Sequence, residues 1–499
     1  MSIDNGTAGK TSLDKDLKKL GQVEAATKLV ASQFFKHSLA LLFLGLSGLV
    51  ASIFAGMASD MTIVIFAAIL GGYMALNIGA NDVANNVGPA VGSRALTLVG
   101  ALVIAAIFES AGALLAGGDV VSTISKGIID PSKVADSQTF VWAMMAALIS
   151  SAIWVNLATY VGAPVSTTHA VVGGVMGAGI AAVGFELVNW GTMGAIAASW
   201  VISPLLGGLI AALFLAFIKT NLIYQDDKIA AARRWIPMLI AIMAGAFACY
   251  LSIKGFKRIW KPDITTVAAI GAATFVLSWV VIHPLIKRQS AGMENRNQSL
   301  RKLFHLPLIF SAALLSFAHG ANDVANAIGP LAAILHSVQS GSISAKVAIP
   351  TWIMVVGAFG ISLGLFLYGP KLIRMVGAQI TKMNPMRAYC VALSAAITVL
   401  VASWLGLPVS STHIAVGAVF GVGFFREYYT THSKRRKEMI ARRGAANGGE
   451  KKQVAPEEIR SRKLVRRSHF MTIIAAWLIT VPATAALAAC VFYGLNLIR

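Results

Sequence analysis

Charge is what this 499-residue chain has least of: 13% of its residues are Asp, Glu, Lys or Arg, while 57% are hydrophobic. With a mean hydropathy of +0.72, that scarcity excludes an ordinary soluble domain, which needs surface charge to stay dissolved. Acid is scarcer than base, 21 residues against 42, for a net charge of +21. Only three cysteines occur, Cys249, Cys390 and Cys490. They lie far apart in apolar segments without metal or redox spacing, and read as small buried hydrophobes. A nucleotide-binding loop is missing too. Gly9-Lys10-Thr11 resembles the end of one, but Asp4 stands where its first glycine belongs and no strand precedes it. No nucleophile beside a base, metal cluster or arginine clamp is visible, which argues against an enzyme of phosphoryl transfer or hydrolysis.

What the chain has instead is long uncharged runs of about 18–25 residues, enough to cross a hydrocarbon core. Clear ones are Leu39–Met57, Met61–Ala80, Thr139–Val161, Ile236–Ile253, Ile264–Ile286, Val347–Gly369 and Met471–Ile498. Further candidates are Ala95–Gly117, Gly191–Ile218, Leu306–Gly320 and Ala388–Leu405. The pattern predicts an all-α polytopic membrane protein of about a dozen segments. The first apolar run follows about three dozen mostly polar residues, too late for the core of a cleavable leader. Residues Arg426–Arg467 hold 14 Lys/Arg against 5 Asp/Glu, leaving +9 in one polar loop. The positive-inside rule places that loop in the cytoplasm, where it meets anionic head groups; no nucleic-acid-binding motif accompanies it. Lys219–Arg234, Lys254–Lys261 and Lys287–Lys302 are basic as well. The first two flank a single span, so charge alone does not set the full topology.

The chain repeats itself. GANDVANNVGPA from Gly79 recurs as GANDVANAIGPL from Gly320, 241 positions on. Pro164-Val165-Ser166-Thr167-Thr168-His169 recurs as Pro408-Val409-Ser410-Ser411-Thr412-His413, 244 positions on. Two unrelated coincidences would not share nearly one offset, so whole halves correspond. This is the pattern of a transporter whose site lies between its halves. The expected organisation is a polar tail 1–37, an additional membrane helix 38–60 and a first repeat 61–218. A central region 219–302 with basic loops and two helices follows, then a second repeat 303–425, the basic loop 426–467 and a last helix 468–499. An inverted arrangement is preferred, because it points both copies at one midplane site.

Each motif carries chemistry. Asn81, Asp82 and Asn85 fall within about one helical turn, bracketed by Gly79 and by Gly88-Pro89, which read as helix interrupters. A carboxylate inside an apolar run is expensive unless it faces protein, water or an ion. A single copy could be a surface cap; a duplicated one favours a ligand site. In PVSTTH and PVSSTH, the serine is placed to cap a helix whose free N–H groups and hydroxyls suit an anion. His169 and His413 read as packed or capping residues, with proton coupling as the alternative. Glu109 is the other acid within an apolar run, without an acidic counterpart in the second half. It reads either as a second cation site or gate, or as a helix-packing carboxyl. No Lys or Arg lies in the motifs. If the cargo is an oxyanion, two ionised aspartates beside it are untenable in low dielectric unless cations or protons enter with it. Asn and Asp oxygens suit a hard cation, and caps and hydroxyls suit the anion.

On these residues, GANDVANNVGPAVGSRALT, GANDVANAIGPLAAI and the PVSTTH/PVSSTH pair, the chain resembles the inorganic phosphate transporter (Pit or PHO4) family from Met61 to Phe425. The resemblance implies two inverted repeats with re-entrant half-helices, a homodimer, and symport of inorganic phosphate with Na+ or H+ across a cell membrane, a bacterial inner membrane. It implies no cofactor besides the co-transported ion. Carried over by motif, phosphate contacts fall to Asn81, Asp82, Ser166, Thr167, Thr168, Asn322, Asp323, Ser410, Ser411 and Thr412. Cation contacts fall to Asp82, Asn85, Asp323 and Asn326, with Glu109 as a further candidate and Na+ as the metal ion. Ile78 and His319 precede the two motifs at matching positions, so the halves are not interchangeable. A sulfate or other oxyanion permease of the same family is the alternative. A passive anion channel is a third reading; concentrative uptake discriminates it from a symporter, since a channel cannot accumulate its ion against the electrochemical gradient.

Overall fold

The computed structural model describes residues 12–54, 60–130, 133–134, 136–163, 165–255, 260–340, 349–379, 383–433 and 467–498. Within them the chain forms fifteen α-helices and no strand; the one isolated β-bridge joins Ile129 to Val188. The helices are α1 (Ser12–Phe54), α2 (Met61–Gly92), α3 (Leu98–Ala116), α4 (Gly118–Lys126), α5 (Ser137–Val161), α6 (Thr167–Ala182), α7 (Trp190–Ile218) and α8 (Lys228–Tyr250). They continue with α9 (Ile264–Gln289), α10 (Asn297–Leu303), α11 (His305–Ser340), α12 (Thr351–Gln379), α13 (Pro385–Trp404), α14 (Ser411–His432) and α15 (Arg467–Ile498). Eleven described helices are long and apolar enough to cross a membrane, while α6 is a shorter apolar helix.

Short polar side chains start many of these helices. Thr97, Asp136, Asn189, Asp227 and Asn384 each accept a hydrogen bond from an amide three residues on. That saves an otherwise orphaned first-turn N–H. The expected membrane helix 38–60 starts earlier than its apolar run, since α1 continues back through the polar segment to Ser12. Residues 1–11 of the expected tail and 434–466 of the basic loop lie outside the described residues. Lys254, in one of the two basic loops flanking a span, pairs with Asp119 at 2.5 Å, so its charge says less about topology than its count does.

Two helix crossings build the centre. α2 packs along α12, and α11 packs along α3. At each crossing a glycine lets backbone meet backbone. A Cβ on Gly79 would lie 1.9 Å from the Ile361 carbonyl oxygen, and one on Gly320 would lie 2.0 Å from that of Glu109. The expectation that Gly79 and Gly88-Pro89 interrupt the helix is therefore corrected. α2 runs unbroken through Pro89 and α11 through Pro330; the glycines serve close approach. Around this centre, α5 with α6 and α13 with α14 form two helix hairpins, α7 packs on α14, and α15 packs on α6. α15 thus completes for the second half the pairing that α7 makes for the first, beyond the expected boundary at 425. α8 and α9 pair with each other outside both halves. Leu205, Leu209, Val276, Leu277 and Phe359 stand exposed on the outer faces, where lipid rather than water solvates them.

Candidate functional site

Both GAND motifs lie mid-helix and buried: Asp82 and Asp323 are each 1% exposed. The reading of either as a water-relieved surface cap is thereby overturned. Across from them stand the hairpin tips. Ser166 and Ser410 cap α6 and α14 as the proline-serine spacing predicts, their Oγ atoms accepting from the amides of His169 and His413. The first-turn amides of each helix have no partner within it, and the hydroxyls beside them turn to the aspartates. Thr167 donates to Asp82 Oδ2 at 2.9 Å, Thr412 donates to Asp82 Oδ1 at 3.1 Å, and Ser411 donates to Asp323 Oδ2 at 3.2 Å. One aspartate of the first half is therefore bound by hydroxyls of both halves.

The carboxamides tie the halves further. Asn85 Nδ2 donates to Thr412 Oγ1 at 2.9 Å, and Asn326 Nδ2 donates to Thr168 Oγ1 at 3.1 Å. Thr168 in turn donates to the Val409 carbonyl at 2.9 Å, so its hydroxyl braces the opposite hairpin. Asn81 and Asn322 make matching bonds to their own hairpins, to Thr159 Oγ1 and Ser403 Oγ, both at 3.0 Å. Thr159 and Ser403 were legible as a pair, because they share the 244-residue offset of the PVSTTH motif.

His319 is the residue the motif pairing left out of the site. Its ring lies between three carboxylates: Nε2 is 3.0 Å from Asp323 Oδ2 and 3.8 Å from Asp82 Oδ2, and Nδ1 is 3.3 Å from Glu109 Oε1. Glu109, fully buried, also accepts from Asn86 Nδ2 at 2.8 Å. Glu109 thus belongs to the cluster and is not a separate packing carboxyl. The only signal for His319 was its mismatch with Ile78; Asn86, inside the first motif, was passed over for Asn85.

Three carboxylates face one imidazole here, and among the described residues no lysine or arginine pairs with Asp82, Glu109 or Asp323. Even a protonated His319 leaves two negative charges if all three acids are ionised. A buried, uncompensated charge costs several kcal/mol. The buried side-chain atoms left without a hydrogen-bond partner include five oxygens: Asn81 Oδ1, Asn86 Oδ1, Glu109 Oε2, Asp323 Oδ1 and Asn326 Oδ1. Proline has no N–H, so Pro89 and Pro330 take away the helical partners of the Asn85 and Asn326 carbonyls. Oxygen acceptors without donors are what a hard cation coordinates, and Asp82, His319 and Asp323 each bring a ligand atom within 4.8 Å of the others.

Fold and site together define a multi-pass membrane transporter whose polar centre is shared between two sequence repeats. The family model of the PHO4 phosphate transporter family matches residues 78–488. A Helicobacter pylori (strain J99) protein named "Putative phosphate permease" is 46% identical over 97% of this chain and 99% of its own length. A Pyrococcus abyssi protein similarly named is 34% identical over 85% of this chain and 96% of its own. A solved structure described as a sodium-dependent phosphate transporter superposes with a TM-score of 0.76 at 36% identity, covering 88% of this chain and all of that one. The chain belongs to the PHO4 phosphate transporter family.

Proposed function

We propose that the protein imports inorganic phosphate by symport with a cation, Na+ in the first place, by alternating access around the Asp82/Asp323 centre. The observation that carries this reading is the surplus of buried acid and orphaned oxygen that, among the described residues, no lysine or arginine pairs with. An oxyanion of charge −1 or −2 placed there would meet net negative charge at short range. Positive ions arriving with it remove that repulsion, so cargo and cation stabilise each other's binding.

The hydroxyls of Thr167, Ser411 and Thr412 turn from the aspartates to the anion once a cation holds those carboxylates, and with the first-turn amides of α6 and α14 they are its donors; Asn81 and Asn322 hold their hairpins in place. Asp82, Asp323, Glu109 and the oxygens of Asn85, Asn86 and Asn326 are the cation's ligands. Ser166, Thr168 and Ser410 act through the caps and braces they make. The Na+ preference draws on the sodium dependence named for the structural neighbour, and H+ is the competing ion. The two repeats are read as inverted, and the protein as a homodimer in a bacterial inner membrane with residues 426–467 in the cytoplasm.

The test is uptake into proteoliposomes with imposed Na+ or pH gradients and with arsenate and sulfate as competitors. Phosphate should accumulate above its outside concentration only while a cation gradient lasts, and arsenate should compete better than sulfate. Accumulation indifferent to every cation gradient would overturn symport. Stronger competition by sulfate than by arsenate would reassign the cargo.

A further inference from the structure

The second hairpin tip is irregular backbone packed among other helices, and five of its carbonyls find side-chain donors. Side chains from five other helices or their ends supply them. Lys254 donates to the Trp404 carbonyl at 3.2 Å, Thr123 to that of Gly406 at 2.7 Å, and Asn322 to that of Leu407 at 3.3 Å. Trp200 Nε1 donates to the Pro408 carbonyl at 3.0 Å and Thr168 donates to that of Val409 at 2.9 Å. Of these donors, Trp200 is the one that holds both tips without carrying a motif residue. Its indole lies 3.8 Å, centroid to centroid, from the ring of His169, the residue after Thr168 in the first tip. His169 in turn meets His413, at the same place in the second tip, edge-on at 4.4 Å. One face of the indole thus sets the N-terminus of α6, and its N–H sets the chain two residues before the cap of α14. Its outer side borders a groove lined by Leu205, Gly208, Phe424 and Leu478, so the ring is not simply enclosed in core.

The sequence around Trp200 has a similar stretch later in the chain. Ala198-Ser199-Trp200-Val201-Ile202-Ser203 recurs as Ala475-Ala476-Trp477-Leu478-Ile479-Thr480. Each copy lies in the helix that follows a PVSTTH or PVSSTH helix, α7 for the first and α15 for the second. The offset is 277 rather than 244, because the basic loop lengthens the second connection.

We propose that Trp200 is a positioning residue for phosphate: it fixes the spacing of the two hydroxyl-bearing helix N-termini. This rests on the reading of those N-termini as the anion's donors. The Trp200 indole itself lies outside the cluster of donors; it acts through the Pro408 carbonyl and the His169 ring.

The experiment is phosphate uptake kinetics in proteoliposomes for the wild type, Trp200→Phe and Trp200→Leu, each checked by thermal unfolding. Phenylalanine keeps a ring against His169 and removes the donor to Pro408. It should raise the KM for phosphate about five- to tenfold, the loss of one part-buried hydrogen bond, with Vmax within about twofold. Trp200→Leu, which also loses the ring, should raise KM further. Unchanged KM in both Trp200 variants, or a fall in Vmax alone that follows lowered thermal stability, would overturn the proposal. A wild type that transports no phosphate would instead sink the site reading beneath it, so the two failures are distinct.

Discussion

The two central crossings of this molecule have one backbone and two chemistries. Where α11 meets α3, a Cβ on Gly112 would lie 2.0 Å from the Phe317 carbonyl oxygen; where α2 meets α12, one on Gly364 would lie 2.0 Å from that of Leu76. Gly320 meets Glu109 as Gly79 meets Ile361. The correspondence therefore runs residue by residue: Glu109 matches Ile361, and His319 matches Ile78. One crossing buries an acid against an imidazole at 3.3 Å; the other buries two isoleucines in one apolar cluster. The aspartates differ in the same sense. Asp82 accepts from two hydroxyls, while Asp323 accepts from one and lies against His319. Both halves share the crossing geometry, because a glycine meeting a backbone tolerates no other residue there. The side chains on that geometry differ, and the charged chemistry lies on one side.

The largest effect should come from the feature both halves share. Asp82→Asn and Asp323→Asn should each lower phosphate uptake at least about 100-fold, of the order of losing a charged ligand in low dielectric, with protein still reaching the membrane. Uptake near wild type in both would remove the aspartates from the mechanism. Next is an attempt to charge the apolar crossing. Ile361→Glu buries an acid with no imidazole opposite and should cost about 3–5 kcal/mol, read as lost melting temperature and abundance. Adding Ile78→His should return much of that loss. A double variant no better than the single one would show that the second crossing cannot host the pair. Glu109→Gln keeps an oxygen for Asn86 while removing the charge. It should lower uptake about tenfold or more at near-normal abundance, whereas Ile361→Val at the matching place should leave uptake within about twofold. Equal effects of the two would erase the functional asymmetry. Smallest is the contact between the crossings, where the Ser110 and Ser362 hydroxyls meet at 2.7 Å. Either serine to alanine should cost about 1 kcal/mol in thermal stability and leave the KM unchanged.

Much of the site was legible because its residues are expensive where they stand. An aspartate in an apolar run, or a proline-serine pair opening a helix, has few uses, and Asp82, Asp323, Ser166 and Ser410 lie where that reasoning puts them. Gly79 and Pro89 misled for a physical reason. The same residues that break an isolated helix are tolerated in a packed membrane helix, where neighbours hold the backbone and the missing N–H removes only one helical donor to the Asn85 carbonyl. His319 and Trp200 were harder. A histidine or tryptophan is ordinary in core, and only the fold brings His319 to Glu109, 210 positions earlier, or Trp200 to Pro408, 208 positions later. α1 began before its apolar run because Ser12–Lys36, though rich in charge, holds no proline and only one glycine, Gly21, which a long helix tolerates.

The most direct test is equilibrium binding of phosphate to the purified transporter across a series of Na+ concentrations at fixed pH, with choline holding ionic strength constant. Affinity should climb steadily with Na+ and be weakest in choline at alkaline pH, where neither sodium nor protons offset the three buried acids. Phosphate bound equally tightly in alkaline choline and in sodium would contradict the account.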